Sequence, residues 1–185
     1  MNGVAEKGIH GLLLPYRDKS PKVADGAFIA PGAVLVGDIE IGAGASVWYN
    51  CVLRADVNRI RIERDANVQD GTVIHVDRDF PTLIGEGVLI GHLAMVHGCI
   101  LEPGAFVGMK STVMDGCVVE SQGMVAAGAL LSPGKRVGRG ELWAGVPAKH
   151  RRDLTPEEME DMAGTASRYV GYAQAHARSL GEMTG

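Results

Sequence analysis

The sequence predicts an all-β solenoid, a parallel β-helix finished by one C-terminal α-helix. Aliphatic residues recur at every sixth position over most of the chain, glycine supplies 26 of 185 residues, and aromatic residues are only 5%. A period of six fits neither the 3.6 of an amphipathic helix nor the 2.0 of a half-buried strand. It fits short strands joined by tight turns, each repeat sending one aliphatic side chain inward, and such a hexapeptide period is a sequence mark of parallel β-helices. A glycine content of about 14%, roughly twice ordinary usage, suits a chain that turns often, since φ > 0 costs glycine nothing.

The elements follow in chain order. Residues 1–22 read as an N-terminal lead-in, in which Leu12-Leu13-Leu14 before Pro15 is too short for a signal-peptide core. Residues 23–148 carry the repeat. Its first run is Val23, Ile29, Leu35, Ile41, Val47 and Leu53. Two short runs follow, Ile62, Val68, Ile74 and then Ile84, Ile90, Val96, before a long one from Leu101 to Trp143. The phase breaks between runs predict three extra residues around Val57–Arg61, four within Asp77–Thr82, and one deleted between Val96 and Leu101. Insertions protrude from a solenoid without disturbing its stack and often lie on the binding face, so the middle third is where function is expected. Residues 149–185 read as a linker and a helix. Thr155 is the expected N-cap, Pro156 the first helical residue, and Glu158 the partner that completes a capping box. Met159, Met162, Ala163, Ala166, Tyr169, Val170 and Ala173 then form one apolar stripe, with Gly181 as the expected stop.

Composition narrows the function. A net charge of −4 disfavours non-specific binding to nucleic acid or to an anionic membrane. No apolar run approaches the roughly 20 residues of a membrane span, and the expectation is a soluble cytoplasmic protein. Cys51, Cys99 and Cys117 are odd in number and lack CxxC spacing, which points to buried thiols rather than a disulfide framework.

Of six histidines, His10, His150 and His176 are expected to be solvated. His75, His92 and His97 differ. The hexapeptide pattern resembles that of left-handed β-helices, whose coil is three-sided; folded into such a coil, the phase breaks stack Leu53, Ile74 and Val96, and therefore Arg54, His75 and His97, on successive turns about 4.8 Å apart. Two imidazoles at that spacing can share one cation with metal–nitrogen bonds of about 2.0–2.1 Å. His92 falls on another face and would have to come from a neighbouring chain. Imidazole ligation favours zinc, or iron(II) or cobalt, and three protein ligands leave a position open, the catalytic arrangement.

Leu53-Arg54-Ala55-Asp56, the run from Asn67 to His75, and the run from Gly91 to Cys99 together resemble the signature blocks of the gamma-class carbonic anhydrases. Trp143–Lys149 followed by Leu154–Glu158 is similar to that family's exit from the coil. The resemblance covers roughly residues 10 to 175 and implies a left-handed β-helix with three hexapeptides per turn, assembled as a homotrimer. It implies reversible hydration of carbon dioxide to bicarbonate at an intersubunit zinc, held by His75 and His97 of one chain and His92 of the next. Gln69 would hydrogen-bond the metal-bound water, and Asn67 and Asp70 would line the site. Arg54 and Asp56 would pair across the subunit interface, and Tyr169 would approach from the C-terminal helix. One departure stands out: the loop Asp77–Thr82 holds two aspartates and none of the glutamates that shuttle protons in some members. Acyl-CoA transfer or hydrolysis on the same fold, or a non-catalytic metal-binding trimeric scaffold, are the competing readings.

Overall fold

A computed structural model describes residues 8–183. Each inward position of the repeat falls on a strand, mostly of two residues, and consecutive turns of the coil pair in parallel register. The offsets between paired residues read out the phase breaks. Ile29 pairs with Val47, a step of 18, whereas Val47 pairs with Val68 and Val68 with Ile90, steps of 21 and 22. Ile90 then pairs with Val107, a step of 17, and Val107 with Val125 restores 18. Insertions of three and four residues and one deletion are thus absorbed at the corners, leaving the aliphatic stack in line.

One face of the coil is an eight-stranded sheet; the other two join into a single twelve-stranded sheet. The join is made by the strands Val34–Ile41 and Val52–Ile62, which run on around a corner where the others break. Between them the register shifts after Gly37, so that residues 56–59 bulge out. The interior is aliphatic: Leu53, Ile74, Val96 and Ile90 are among its fully buried members. All three cysteines are free and buried. Burial pushes the Cys51 thiol up to about 12 and moves Cys99 and Cys117 in the same direction, which leaves them poor nucleophiles at neutral pH.

Both ends are more structured than a lead-in and a linker suggest. Within residues 1–22, Leu12–Leu14 pairs in parallel with Val34–Val36 as a further rung. Within 149–185, Lys149–Asp153 turns back antiparallel on Glu141–Ala144 and covers the last sheet edge, a common way to blunt an edge that would template association.

The helix α1 spans Pro156–Met183 and passes through Gly181 rather than stopping there. Gly181 adopts none of the positive-φ conformation that ends a helix. Its start is the expected capping box: the Glu158 N–H donates to Thr155 Oγ1 at 3.2 Å, and the Thr155 N–H donates to Glu158 Oε2 at 2.9 Å. Met162, Ala166 and Ala173 are buried while Ala163 faces solvent, so the stripe is narrower than read from spacing. Its ridge rests on Phe28, Ala30 and Trp48, outward residues of the eight-stranded face. Among the described residues no helix is long and apolar enough to cross a membrane.

The cap yields a pH-dependent prediction. The Arg152 guanidinium, and then the Thr155 N–H, hold the Glu158 carboxyl down at about 2, below its ordinary 4.5. Because the folded value lies below the unfolded one, this contribution is complete above about pH 4.5 and fades as the pH falls toward 2. Wild type and Glu158→Gln are expected to differ in Tm at pH 6 and to converge on acidification. Thr155→Ala is expected to cost about 0.5–2 kcal/mol in thermal or denaturant unfolding.

Candidate metal centre

His75 and His97 end paired strands and lie directly opposite each other in parallel register. Their ring centroids are 5.0 Å apart, close to the strand spacing, and His75 Nδ1 stands 2.9 Å from His97 Nε2. Each ring's remaining nitrogen meets a carboxylate: His75 Nε2 lies 2.9 Å from Asp56 Oδ1, and His97 Nδ1 lies 2.5 Å from Asp115 Oδ1. A carboxylate only accepts, so both of these nitrogens carry the ring N–H. With both rings neutral, the two facing nitrogens, 2.9 Å apart, are then both acceptors. Only an electrophile between them, a proton or a metal cation, satisfies both. A tetrahedral cation with bonds of about 2.0–2.1 Å sets its nitrogens roughly 3.3 Å apart, so the rings would have to separate by a few tenths of an ångström and tilt for both nitrogens to point at it.

Asp56 is bound on its other side by Arg54. Within one chain the two pair with each other, because residues two apart on a strand project from the same face. Burial pushes the Asp56 carboxyl up, but hydrogen bonds from His75 and Arg54 outweigh it and leave the group below its ordinary value. Asn58, in the bulge, donates through Nδ2 to the carbonyls of Asp77 and Arg78 at 3.0 Å, bracing the first insertion against the second. In that second loop Asp77 accepts the Asp79 N–H and so serves the turn. Thr82 Oγ1 donates to the His75 carbonyl at 2.7 Å, fixing the strand end that presents the imidazole.

The remaining expected site residues form a separate group. His92 Nδ1 lies 2.9 Å from Asp70 Oδ2, both half-exposed. Asp70 is felt electrostatically by Tyr49 and Tyr169, whose hydroxyls are raised first by burial and then by that carboxylate. Asn67 and Gln69 are buried on the eight-stranded face, Asn67 within a strand rather than a turn. Gln69 Nε2 donates to Asn67 Oδ1 at 3.1 Å, and Asn67 Nδ2 is buried without a partner. A buried donor left unpaired costs about 1–3 kcal/mol, so Asn67 offers an unspent hydrogen bond. Among the described residues no three metal-binding side chains converge within one chain; two do, and His92 stands apart from them.

Three participants escaped the sequence reading. Asp115 lies in Met114-Asp115-Gly116 and reads as an ordinary turn residue. His176, expected to be solvated, accepts or donates a 2.8 Å hydrogen bond with Tyr49 and stacks edge-on against Trp48 with centroids 5.0 Å apart. Its signal was a register in the helix one turn beyond Tyr172. His10 likewise is only partly exposed, with its Nε2 buried.

Comparison with known proteins decides the family. The chain is 47% identical over 174 residues to the mitochondrial gamma carbonic anhydrase 2 of Arabidopsis thaliana, covering 91% of this chain and 63% of that protein. It is 43% identical over 142 residues to a protein of Methanocaldococcus jannaschii named a probable carbonic anhydrase, covering 77% of this chain and 89% of that one. The chain belongs to the gamma carbonic anhydrase family. It spans about 63% of the length of the Arabidopsis relative. Residues 20–55 also match the family described as bacterial transferase hexapeptide (six repeats). Among solved structures, a hexapeptide transferase family protein from Anaplasma phagocytophilum superposes with a TM-score of 0.86 at 46% identity, covering 89% of this chain and 97% of that one. The gamma carbonic anhydrase assignment thus rests on sequence along nearly the whole coil and helix, and the solenoid is shared with transferases.

Proposed function

We propose that this protein hydrates carbon dioxide reversibly to bicarbonate at a zinc ion held between copies of the chain in a homotrimer. The observation that carries this reading is the facing pair His75 Nδ1 and His97 Nε2, 2.9 Å apart, each on a ring whose other nitrogen meets an aspartate. Carboxylate–histidine–metal arrangements of this kind fix the ligand tautomer and raise its basicity. His92 repeats the pattern: Asp70 engages Nδ1, leaving Nε2 as the ligand atom.

The two groups of site residues suit a head-to-tail ring, in which one surface of each copy meets a different surface of the next. Arg54, Asp56, His75 and His97 of one copy would face His92, Asp70, Asn67, Gln69 and Tyr169 of its neighbour. An apolar row supports a covered face: Leu12, Val34, Val52, Val73 and Met95 are neighbours across successive outward strand positions, and Leu12, Val52 and Met95 are exposed. Monomeric proteins rarely expose contiguous apolar rows of this length.

When bound, zinc supplies a nucleophilic hydroxide at neutral pH by lowering the pKa of its water to about 7. The chain's own residues then orient and stabilise. The free Asn67 Nδ2, aligned by Gln69, donates to oxygen on which negative charge develops, where a preorganised donor lowers the barrier most. Arg54, steadied by Asp56, seats the bicarbonate anion. Tyr169, T-shaped against Trp48 at 5.5 Å, would flank the His92 half of the site from the helix.

Elemental analysis paired with stopped-flow CO₂ hydration tests the reading. The expected result is about one zinc, iron or cobalt ion per chain and turnover that disappears on chelation and returns with metal. A metal-free protein that hydrolyses or transfers an acyl group from acyl-CoA would move the function to the transferases that share the coil; bound metal without turnover would leave a scaffold.

A further inference from the structure

We infer that Asp115 is a positioning residue for the metal, holding His97 in the tautomer and ring orientation that make Nε2 the ligand atom. The inference rests on the metal reading above and extends it to a residue that contacts no substrate and sits a full turn of the coil away in sequence.

Three observations carry it. Asp115 Oδ1 stands 2.5 Å from His97 Nδ1, within hydrogen-bond reach of the ring nitrogen opposite the one that faces His75. Opposite it, His97 Nε2 faces His75 Nδ1 at 2.9 Å, so the proton held by Asp115 is the one that must stay off the ligand nitrogen. The space for this contact is built by the backbone. Gly98, next to the histidine, has φ +49, and a Cβ placed there would come within 2.4 Å of Asp115 Oδ1 and 3.0 Å of Phe80 Cβ. Beside this contact the Gly116 N–H donates to the Gly98 carbonyl at 2.8 Å and ties the two turns of main chain together. Phe80, from the second insertion, lies over Gly98 and Gly116 and covers the pair from that side.

Asp56 alone cannot do this work. It fixes His75, whose Nδ1 then presents a lone pair. Without Asp115, His97 is free to carry its proton on Nε2 and satisfy His75 by an ordinary hydrogen bond, a closed arrangement with no place for a cation. Asp115 converts that closed pair into an open one.

The test uses cobalt(II) and zinc titrations of the full chain, with long-range ¹H–¹⁵N NMR of the metal-free protein at pH 8. In wild type, His97 is expected to show its proton on Nδ1. Asp115→Ala is expected to weaken metal affinity about 10–100-fold and to shift the His97 proton toward Nε2, with Asp115→Glu recovering part of both. Gly98→Ala, which displaces the carboxylate without deleting it, is expected to weaken affinity in the same direction. A wild-type His97 already protonated on Nε2 overturns the inference, even if Asp115→Ala fails to fold. So does a folded Asp115→Ala protein that binds metal within twofold of wild type. Wild-type protein that binds neither ion overturns the metal reading itself and, with it, the role of Asp115.

Discussion

Replacing His92 with alanine is expected to strip the metal from the protein while leaving the solenoid folded. His92 lies half-exposed on an outer turn and its side chain meets Asp70, so among the described residues its loss removes no buried core member. Removing one of three imidazoles should take metal content from about one ion per chain to near none at micromolar metal, with Tm changing by no more than the contribution of the bound ion. His75→Ala is expected to do the same from the other half of the site. The informative experiment mixes the two. Each centre is proposed to take His75 and His97 from one copy and His92 from the next. A randomly assembled ring of the two inactive variants therefore regains a complete set in about one site in four. Recovery of roughly a quarter of wild-type metal and turnover after co-refolding is the expected result. No recovery, with mixed assemblies demonstrated by mass, would show that all three histidines serve within one chain or that none serves.

Ile74→Ala is expected to produce the opposite signature: a large loss of stability, with the metal still binding while the protein is folded. Ile74 is fully buried, and its Cα partners are Leu53 on one side and Val96 on the other. Truncating such a side chain leaves a cavity that a close-packed stack can close only by shortening the rung spacing, which the strand hydrogen bonds forbid. The cost is about 2–5 kcal/mol, or a fall in Tm of roughly 4–20 °C for a chain of this size. Each turn of a solenoid contacts only its neighbours, so the damage should be centred on the middle rungs, visible as faster amide exchange from Val52 to His97 than at either end. A loss under about 1 kcal/mol would mean the stack is far looser than its burial indicates.

Most of the fold was legible because period six is a one-dimensional signal. Each inward aliphatic residue depends only on its own position in the count, and an insertion shows as a change of phase. Val23 to Trp143 and the offsets of three, four and minus one therefore translated directly into paired strands. The His75–His97 pair followed from the same count. The capping box was equally local, involving Thr155 and Glu158 alone.

What the sequence did not show depends on where side chains reach across turns. Asp115 resembles any aspartate in a tight turn until Gly98 is seen to leave room for its carboxylate. Arg54 and Asp56 pair within the chain because strand pleating puts both on one face. His176 meets Tyr49 and Trp48 only once α1 has docked, and Gly181 fails to end that helix because its backbone stays helical.

The sequence by itself determined the coil, its corners and the stacked imidazoles, since regular repetition converts position in the chain into position in space. The tertiary structure alone decided which nitrogen of each imidazole faces an aspartate, because that depends on carboxylates delivered from other turns, whose geometry no spacing encodes.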